Sequence, residues 1–307
     1  MFQQDTPQTL PDSPDALRQT LAGQRYIADE TLATVAYLAI AMRRPLLIEG
    51  PAGVGKTELA RQLATACGMP FIRLQCYEGL DESKALYEWA YARQLLYIQL
   101  LRQRVDALTA GSQDLGAAIE AIGQHEDAFF SERFLMARPL LQALQSPDGA
   151  LLLIDEVDKS DPEFEAFLLE FLADFSVTIP ELGTLHAQVP PIVVLTSNDQ
   201  RDLSDALKRR CLYLYIDYPE PKLEAAIVAA QVPEAGESLR REAMAFIKRV
   251  RGLDLRKPPG ISETLDWVRS LQALGLDSLD GPELRYTLAA LLKHRSDLQR
   301  TLSALLD

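Results

Sequence analysis

Cysteine and histidine are both scarce in this sequence, and that scarcity argues against several kinds of metal and redox site. The chain of 307 residues holds three cysteines and three histidines. Cys67, Cys76 and Cys211 match no zinc or redox spacing, so we interpret them as buried small apolar residues. The histidines lie far apart and form no HExxH pair, so a His/Cys metal site is not expected.

Long apolar runs are also missing. The longest mostly apolar run covers residues 32–42, whereas a helix that crosses a bilayer needs about 20 apolar residues. The first residues are polar and acidic, without the basic start and apolar run of a signal peptide. We therefore expect a soluble, cytoplasmic protein with no membrane segment, and disorder over residues 1–12.

Positive charge is in short supply. The chain has 31 Lys and Arg against 44 Asp and Glu, which gives a net charge of −13. Such a chain is poorly suited to sequence-independent nucleic-acid binding, so no nucleic-acid partner is expected. The acidic excess lies in residues 1–218, because residues 219–307 carry 13 side chains of each sign. This change of balance predicts a domain boundary near residues 219–221.

Short apolar runs alternate with amphipathic stretches as far as residue 218, and the pattern is helical afterwards. This alternation is typical of an α/β module with a parallel sheet covered on both faces by helices. A long helix is predicted over 84–108, and a β-hairpin around Gly183 over 177–187. The runs that predict buried strands are 46–49, 71–74, 151–154, 192–196 and 212–216.

A glycine-rich segment, GPAGVGKT, lies between the first of these strands and a predicted helix. It matches the phosphate-binding pattern G-x-x-x-x-G-K-[ST], in which backbone N–H groups and a helix N-terminus surround phosphate oxygens. Lys56 would reach the β- and γ-phosphates and the Thr57 hydroxyl would hold Mg²⁺. The alternative is a glycine-rich turn followed by an unrelated Lys-Thr pair. The predicted nucleotide-binding residues are Gly50, Pro51, Ala52, Gly53, Val54, Gly55, Lys56, Thr57 and Glu58.

Polar residues follow two other predicted strands. Asp155 is expected to take Mg²⁺, directly or through water, and Glu156 to polarise the attacking water. Asn198 is expected in the same crevice, since ligands of open α/β sheets lie beyond the carboxyl ends of the strands. There it would orient the water or touch the γ-phosphate. The alternatives are a solvated acidic strand end for the carboxylates and a loop cap for Asn198.

A basic run interrupts the acidic module at Lys208, Arg209 and Arg210. One interpretation is an arginine finger supplied to the nucleotide of a neighbouring subunit. The other is a solvated basic turn.

In their order along the chain, these segments resemble those of AAA+ ATPases. They correspond to Walker A at 50–57, Walker B at 151–156, sensor 1 at Asn198 and an arginine finger near Arg210. Over roughly residues 20–305 the chain most resembles the MoxR family. Within that family it is similar to the accessory ATPases encoded with carbon monoxide dehydrogenase, through segments 74–81, 85–89, 164–184 and 207–219.

The resemblance implies an ASCE-type P-loop NTPase fold with strand order 5-1-4-3-2 and a helical lid. It implies a ring, commonly a hexamer, that binds ATP and Mg²⁺ between subunits. It assigns the finger to Arg210, with Arg209 as the fallback, and an adenine-contacting edge to Tyr26 and Ile27. The expected parts are a nucleotide-binding domain over 13–218, a helical insert at about 84–138, a β-hairpin insert at 176–189 and a lid over 219–307.

Two features of this sequence leave alternatives open. MoxR proteins commonly carry Gly-x-Ser-Pro-Arg at the start of a lid helix, where the Arg is sensor 2, but the matching segment here ends in Thr264. Either Arg256, Lys257 or Arg269 contacts nucleotide instead, or the lid is weakly coupled. The insert is rich in aromatic residues, namely Tyr87, Trp89, Tyr91 and Tyr97. Either they contact a client or the ring pore, or they form part of an ordinary apolar core.

The leading hypothesis is a chaperone-like remodelling ATPase. The resemblance implies that it matures a metalloenzyme, with a von Willebrand factor A-domain protein as partner. A small-molecule kinase on the same core is the alternative, opposed by the Asp-Glu pair, Asn198 and the helical tail. A DNA motor is opposed by the charge of −13, and a binding-only switch by the presence of both Lys56 and Glu156.

Overall fold

The structure is a computed structural model that describes residues 10–100, 132–180, 182–279 and 281–305. The strands in chain order are β1 (Leu46–Glu49), β2 (Phe71–Gln75), β3 (Tyr87–Trp89), β4 (Leu135–Ala137), β5 (Leu151–Asp155), β6 (Ser176–Ile179), β7 (Gly183–His186), β8 (Ile192–Ser197) and β9 (Leu212–Tyr215). The helices are α1 (Pro14–Gly23), α2 (Glu30–Ala41), α3 (Lys56–Ala66), α4 (Glu82–Leu86), α5 (Tyr91–Leu100), α6 (Pro139–Leu144), α7 (Pro162–Asp174), α8 (Asp205–Arg210), α9 (Pro221–Gln231), α10 (Glu237–Arg251), α11 (Ile261–Ala273), α12 (Leu284–Leu291) and α13 (Arg295–Leu305).

Five parallel strands form the central sheet, in the order β2-β5-β8-β1-β9. When these five strands alone are numbered along the chain, the order is 5-1-4-3-2, so the predicted sheet is confirmed. Each strand coincides with one of the five apolar runs. Because all five strands point the same way, their carboxyl ends meet at one edge of the sheet, where Gln75 is paired with Asp155 and Glu49 with Ser197.

The central strands β1, β5 and β8 are buried on both faces almost throughout, as continuous apolar strands require. On β5, Leu152 and Ile154 belong to one apolar cluster, which includes residues of α4, α6 and α7. Leu151 and Leu153 belong to the opposite cluster, which includes residues of α1, α2 and α3. Alternate side chains of one strand therefore anchor helices on opposite faces of the sheet.

The edge strand β9 differs from these central strands. The prediction that 212–216 is a buried strand is wrong for β9, because Tyr213 and Tyr215 are 51% and 49% exposed on the side that the described helices leave uncovered.

The C-terminal helices have an apolar core of their own. Its members run from Val228 to Leu292 and surround Trp267, whose indole N–H donates to Thr287 Oγ1 at 2.9 Å. The helical pattern predicted after residue 218 is confirmed by α9 to α13. The domain limits at 13–218 and 219–307 stay predictions.

The predicted hairpin is present as β6 and β7, which pair antiparallel. The continuous helix predicted over 84–108 is wrong. The chain leaves α4 after Leu86 and enters β3, which pairs antiparallel with β4 before α5 begins. Tyr87 and Trp89 favour an extended strand, and the partner strand lies more than 40 residues further along the chain, beyond the range of helical periodicity. The insert predicted as helical at about 84–138 therefore contains a β-ribbon.

Two predictions fall partly outside the described residues. Residues 1–9 of the predicted disordered start are not among them, nor is the part of the predicted long helix beyond residue 100. None of the described helices is both long and apolar enough to cross a membrane.

Candidate functional site

The glycine-rich loop, residues 50–57, connects the buried strand β1 to helix α3. Gly50 has φ +150°, and a Cβ on it would lie 2.0 Å from the Ile216 carbonyl oxygen of the chain beside it. Gly55 has φ +95° and caps the N-terminus of α3. Any other residue would be strained at both positions. The loop thus brings the positive N-terminal end of α3 to the carboxyl edge of the sheet.

Lys56 is buried within this loop and folds back onto it. Its ammonium donates to the carbonyl oxygens of Gly50 and Pro51, both at 2.7 Å, and to Asn198 Oδ1 at 2.9 Å. Burial lowers the pKa of Lys56 from its ordinary value, and the charges of Asp158, Asp155 and Glu156 act in the opposite direction.

The three hydrogen bonds of Lys56 fix its ammonium group beside the backbone of the loop. The bond to Asn198 also joins the loop directly to the end of β8. Two predicted site residues that are 142 positions apart in sequence are in direct contact.

Asp155 ends β5 and is 2% exposed. Its carboxylate accepts hydrogen bonds from Thr57 Oγ1 at 3.1 and 3.2 Å and from the Thr196 hydroxyl. The Arg73 guanidinium donates to Asp155 Oδ2 through Nε at 2.9 Å and Nη2 at 2.6 Å. Thr57 and Asp155, the predicted Mg²⁺ ligands, are thus adjacent, and sequence reasoning missed Arg73 beside them.

Glu156 follows Asp155 with φ +57°, a left-handed conformation that turns its side chain away from the strand. Its Oε1 accepts from Asn198 Nδ2 at 3.1 Å. Its Oε2 accepts from Gln75 Nε2 and Lys159 Nζ, each at 2.7 Å. The carboxylate is therefore near the predicted partner Asn198 and is also held by two residues that were not predicted.

Asp158 is a further buried carboxylate that sequence reasoning did not assign to the site. Its Oδ2 accepts the backbone N–H groups of Asn198 and Gln200, both at 3.2 Å. Its Oδ1 is buried and has no hydrogen-bond partner among the described residues. The spacing DExD after a buried strand was the available signal.

The donor set fits a magnesium-bound nucleoside triphosphate. A hydroxyl and a carboxylate lie side by side, and hard divalent cations such as Mg²⁺ prefer oxygen ligands. Among the described residues, no group of three or more His, Cys, Asp or Glu is arranged as a metal site. Mg²⁺ is usually held by one or two protein groups, with waters and phosphates as the other ligands. Loop glycines, the Lys56 ammonium and a helix N-terminus suit the phosphates.

Tyr26 lies against the other side of the loop. Its ring comes within 3.9 Å of the position that a Cβ on Gly55 would take. Burial raises the pKa of the Tyr26 phenol above its ordinary range, with Glu58 and Asp29 acting in the same direction. Ile27 follows it and is half-buried. Of the two residues assigned to the adenine edge, Tyr26 is therefore beside the loop, and the position of Ile27 relative to nucleotide stays a prediction.

The candidate finger residues are not part of this cluster. Arg209 and Arg210 end helix α8, and both are exposed. Arg44 donates to the backbone carbonyls of Arg209, Arg210 and Cys211, which fixes the turn that carries them. Neither the Arg209 nor the Arg210 guanidinium forms a hydrogen bond or ion pair with a residue that the structure describes.

Thr264, the residue at the sensor 2 position, points into the C-terminal helices. It is 0% exposed, and its hydroxyl donates to Glu224 Oε1 at 2.9 Å. Arg251 donates to both oxygens of Glu224, at 2.6 and 2.8 Å. Thr264 therefore belongs to a buried polar network and does not face the loop.

The C-terminal helices reach the loop through another residue. Ser262 Oγ, in the first turn of α11, donates to the Gly53 carbonyl at 3.0 Å. Of the three basic residues considered as replacements for sensor 2, Arg256 and Lys257 are exposed, and Arg269 pairs with Asp266 at 3.5 Å on the surface. No described contact joins these three side chains to the loop.

The aromatic residues of the insert divide into two groups. Trp89 is 7% exposed and belongs to the main apolar cluster, with Tyr87 packed edge-on against it at 5.9 Å. Tyr91 and Tyr97, on α5, are 65% and 47% exposed. The core interpretation is therefore confirmed for Trp89 and Tyr87, and contact with a client or the ring pore stays a prediction for the two exposed tyrosines.

The three cysteines are buried and free. Burial raises the pKa of Cys67 to about 11 and those of Cys76 and Cys211 to about 12. These thiols are protonated at neutral pH, which agrees with their interpretation as small apolar residues.

A family model described as "AAA domain (dynein-related subfamily)" matches residues 45–211, which is more than half of the chain. The chain is 22% identical over 251 residues to an uncharacterised protein of Staphylococcus aureus (strain USA300), across 80% of this chain and 81% of that protein. It is also 22% identical over 259 residues to an uncharacterised protein of Staphylococcus saprophyticus, across 82% and 84% of the two chains.

Proposed function

The chain belongs to the AAA domain family, in its dynein-related subfamily, and from this membership we propose that it hydrolyses Mg·ATP to ADP and phosphate at the loop 50–57. One observation carries the proposal. Hydrogen bonds join Lys56 to Asn198, Asn198 to Glu156, and Thr57 to Asp155. The Lys56 ammonium, the pair proposed to hold the metal and the carboxylate proposed as the base thus lie together at the carboxyl edge of the sheet, where α/β sheets bind their ligands.

In this proposal each residue has a separate task. Bound Mg·ATP supplies the phosphoanhydride bond that water cleaves. Lys56 binds the β- and γ-phosphates, and Thr57 and Asp155 hold the metal. Glu156 accepts the proton of the attacking water, which Asn198 orients. The remaining loop residues bind phosphate through their backbone N–H groups.

We further propose that the protein works as a ring of MoxR type, commonly a hexamer. Arg209 and Arg210 are exposed, and their guanidinium groups have no partner among the described residues. This exposure supports a ring, because a finger acts on the nucleotide of a neighbouring subunit. The MoxR resemblance supports a chaperone-like role in metalloenzyme maturation, with a von Willebrand factor A-domain protein as partner.

The test is phosphate release per subunit, measured with Mg·ATP and no other substrate over a range of protein concentrations. We expect a specific rate that climbs with concentration and is absent in Lys56→Ala protein. ADP formation that needs an added acceptor and does not depend on protein concentration would favour a small-molecule kinase instead. Turnover by the Lys56→Ala variant at the wild-type rate would contradict the proposed site.

A further inference from the structure

The carboxylate of Asp155 already carries a cation. The Arg73 side chain lies on β2, the strand beside β5, and is 44% exposed, whereas the Asp155 side chain is 3% exposed. Two N–H groups of Arg73 reach the same oxygen, Oδ2, at 2.9 and 2.6 Å. This ion pair lies on the residue that is proposed to hold Mg²⁺.

The hydrogen bonds of Asp155 leave no acceptor position unused. A carboxylate has about four lone-pair positions on its two oxygens. Arg73 fills two of them, and the hydroxyls of Thr196 and Thr57 supply one hydrogen each. A metal ion, or a water bound to it, can therefore approach Asp155 only if one of these donors leaves.

Arg73 is the donor that can leave most easily. Thr196 is 1% exposed, and its hydroxyl also accepts the backbone N–H of Glu156 at 2.9 Å, so it is fixed. Thr57 lies in the first turn of α3 and remains beside Asp155 whatever its hydroxyl binds. Arg73 has an exposed side chain and a second acceptor in Gln75 Oε1, to which its Nη2 also donates. In addition, a guanidinium and a divalent cation on one oxygen repel each other.

We infer that Arg73 is an internal competitor of Mg²⁺ that holds the metal-binding carboxylate until Mg·nucleotide displaces it. This inference rests on the proposed function, since it concerns the metal that accompanies the nucleotide. Its consequence is a higher half-saturating Mg²⁺ concentration, because Mg²⁺ must displace Arg73 for Mg·nucleotide to bind.

The experiment is a Mg²⁺ titration of the binding of a fluorescent (N-methylanthraniloyl) ADP to the full chain, which requires no turnover. Arg73→Gln removes the charge and keeps an N–H donor of similar reach. We expect the half-saturating Mg²⁺ concentration to be roughly tenfold lower in Arg73→Gln than in wild type, the size of one charge-assisted contact. An unchanged or higher half-saturating concentration would overturn the inference and leave Arg73 as a structural counter-ion.

A matched control comes from the same region. Arg61 packs its guanidinium 4.8 Å from the ring centroid of Phe71, also on β2, and is not bonded to Asp155. Arg61→Gln makes the same change of charge, and we expect its Mg²⁺ requirement to equal that of wild type. An equal shift in both variants would mean a general effect of charge and would also overturn the inference.

A second variant covers the case in which Arg73→Gln does not fold. Arg73→Lys keeps the charge but loses the two-pronged contact, so we expect a shift in the same direction of about two- to threefold. No shift, or a higher Mg²⁺ requirement, would count against the inference.

Lys56→Ala separates this inference from the proposed function. If wild type binds the fluorescent nucleotide, Lys56→Ala does not, and Arg73→Gln leaves the Mg²⁺ requirement unmoved, only the role of Arg73 fails. If wild type and Lys56→Ala both fail to bind nucleotide at any Mg²⁺ concentration, the proposed function fails, and the inference fails with it.

Discussion

Two buried carboxylates in this protein are each bonded by an arginine, but their surroundings differ. Asp155, in the α/β region, accepts from Arg73 at 2.6 and 2.9 Å. Glu224, among the C-terminal helices, accepts from Arg251 at 2.6 and 2.8 Å. The Arg73 side chain is 44% exposed and the Arg251 side chain 29%. Glu224 also binds the fully buried Thr264, whereas Asp155 borders the glycine-rich loop.

The difference teaches that the same kind of ion pair, between an arginine and a buried carboxylate, can have different consequences in different surroundings. Removing one partner of a buried pair leaves an uncompensated charge, so an enclosed pair such as Arg251 with Glu224 fixes the fold around it. Where the carboxylate borders a ligand site, as we propose for Asp155, a second cation can take over the role of the arginine. The two regions therefore invite different experiments.

Substitution of a third arginine, Arg210, extends the comparison, and we expect it to have the largest effect, on the rate of ATP hydrolysis. Arg210 is exposed and has no carboxylate partner among the described residues. We expect Arg210→Ala to bind ATP normally and to lose hydrolysis by on the order of 10³-fold, because a finger stabilises only the transition state. Steady-state phosphate release and nucleotide binding measure the two properties separately.

A mixing experiment distinguishes action between subunits from action within one. Arg210→Ala and Lys56→Ala proteins should each be inactive, and their mixture should regain part of the activity. A mixture without activity would speak against a finger that acts on the neighbouring subunit. The matched control is Arg241→Ala on α10, an exposed arginine that we expect to change nothing.

Arg251→Gln probes the enclosed pair and should have the next largest effect. It leaves the Glu224 carboxylate, which is 1% exposed, without its cation, so we expect the free energy of unfolding of the C-terminal helices to fall by about 3 kcal/mol. Urea unfolding measures this loss. Arg269→Gln is the control, since its pair with Asp266 is solvent-exposed and should contribute less than about 1 kcal/mol. An equal loss of unfolding free energy in both variants would contradict the expectation that the Arg251–Glu224 pair stabilises the protein more than the exposed Arg269–Asp266 pair.

Loss of the contact between Ser262, in the C-terminal helices, and the glycine-rich loop should have the smallest effect. Ser262→Ala removes the hydrogen bond from the Ser262 hydroxyl to the Gly53 carbonyl, which is worth about 1 kcal/mol. The Ser262 backbone N–H still donates to the same oxygen at 3.3 Å. We expect nucleotide affinity to change by less than about tenfold, measured by titration with the fluorescent ADP. A larger loss of affinity would mean that the first turn of α11 does more for nucleotide binding than this single contact predicts.

The central sheet was predictable from the sequence because its strands are continuous apolar runs. Burial on both faces removes the polar residues that would otherwise interrupt such a run, as in Leu151–Asp155. The glycine-rich loop was predictable because its backbone geometry requires glycine, as at Gly50.

Contacts between distant segments were not predictable in the same way. The strand Tyr87–Trp89 exists because it pairs with residues 135–137, which no local pattern reveals. Arg73 was read only as part of an apolar strand. Its contact with Asp155 follows from the register that sets Gln75 opposite Asp155, and thus from the sheet order.

The sensor 2 position shows a third kind of limit. The MoxR resemblance sets Thr264 where that family commonly carries an arginine, but it does not reveal what the hydroxyl does instead. Its partners Glu224 and Arg251 lie 40 and 13 residues away and come from two other helices. Only the packing of those helices shows that Thr264 is part of their core.

The claim that Glu156 is the base for ATP hydrolysis has one direct test. Wild type and Glu156→Gln protein are incubated with Mg·ATP and freed of unbound nucleotide, and the retained nucleotide is identified. Glu163→Gln, an exposed glutamate in the first turn of α7, is the matched control. We predict ADP on wild type and on Glu163→Gln, and ATP on Glu156→Gln, because binding survives while hydrolysis stops. ADP formed by Glu156→Gln at the wild-type rate would contradict the account.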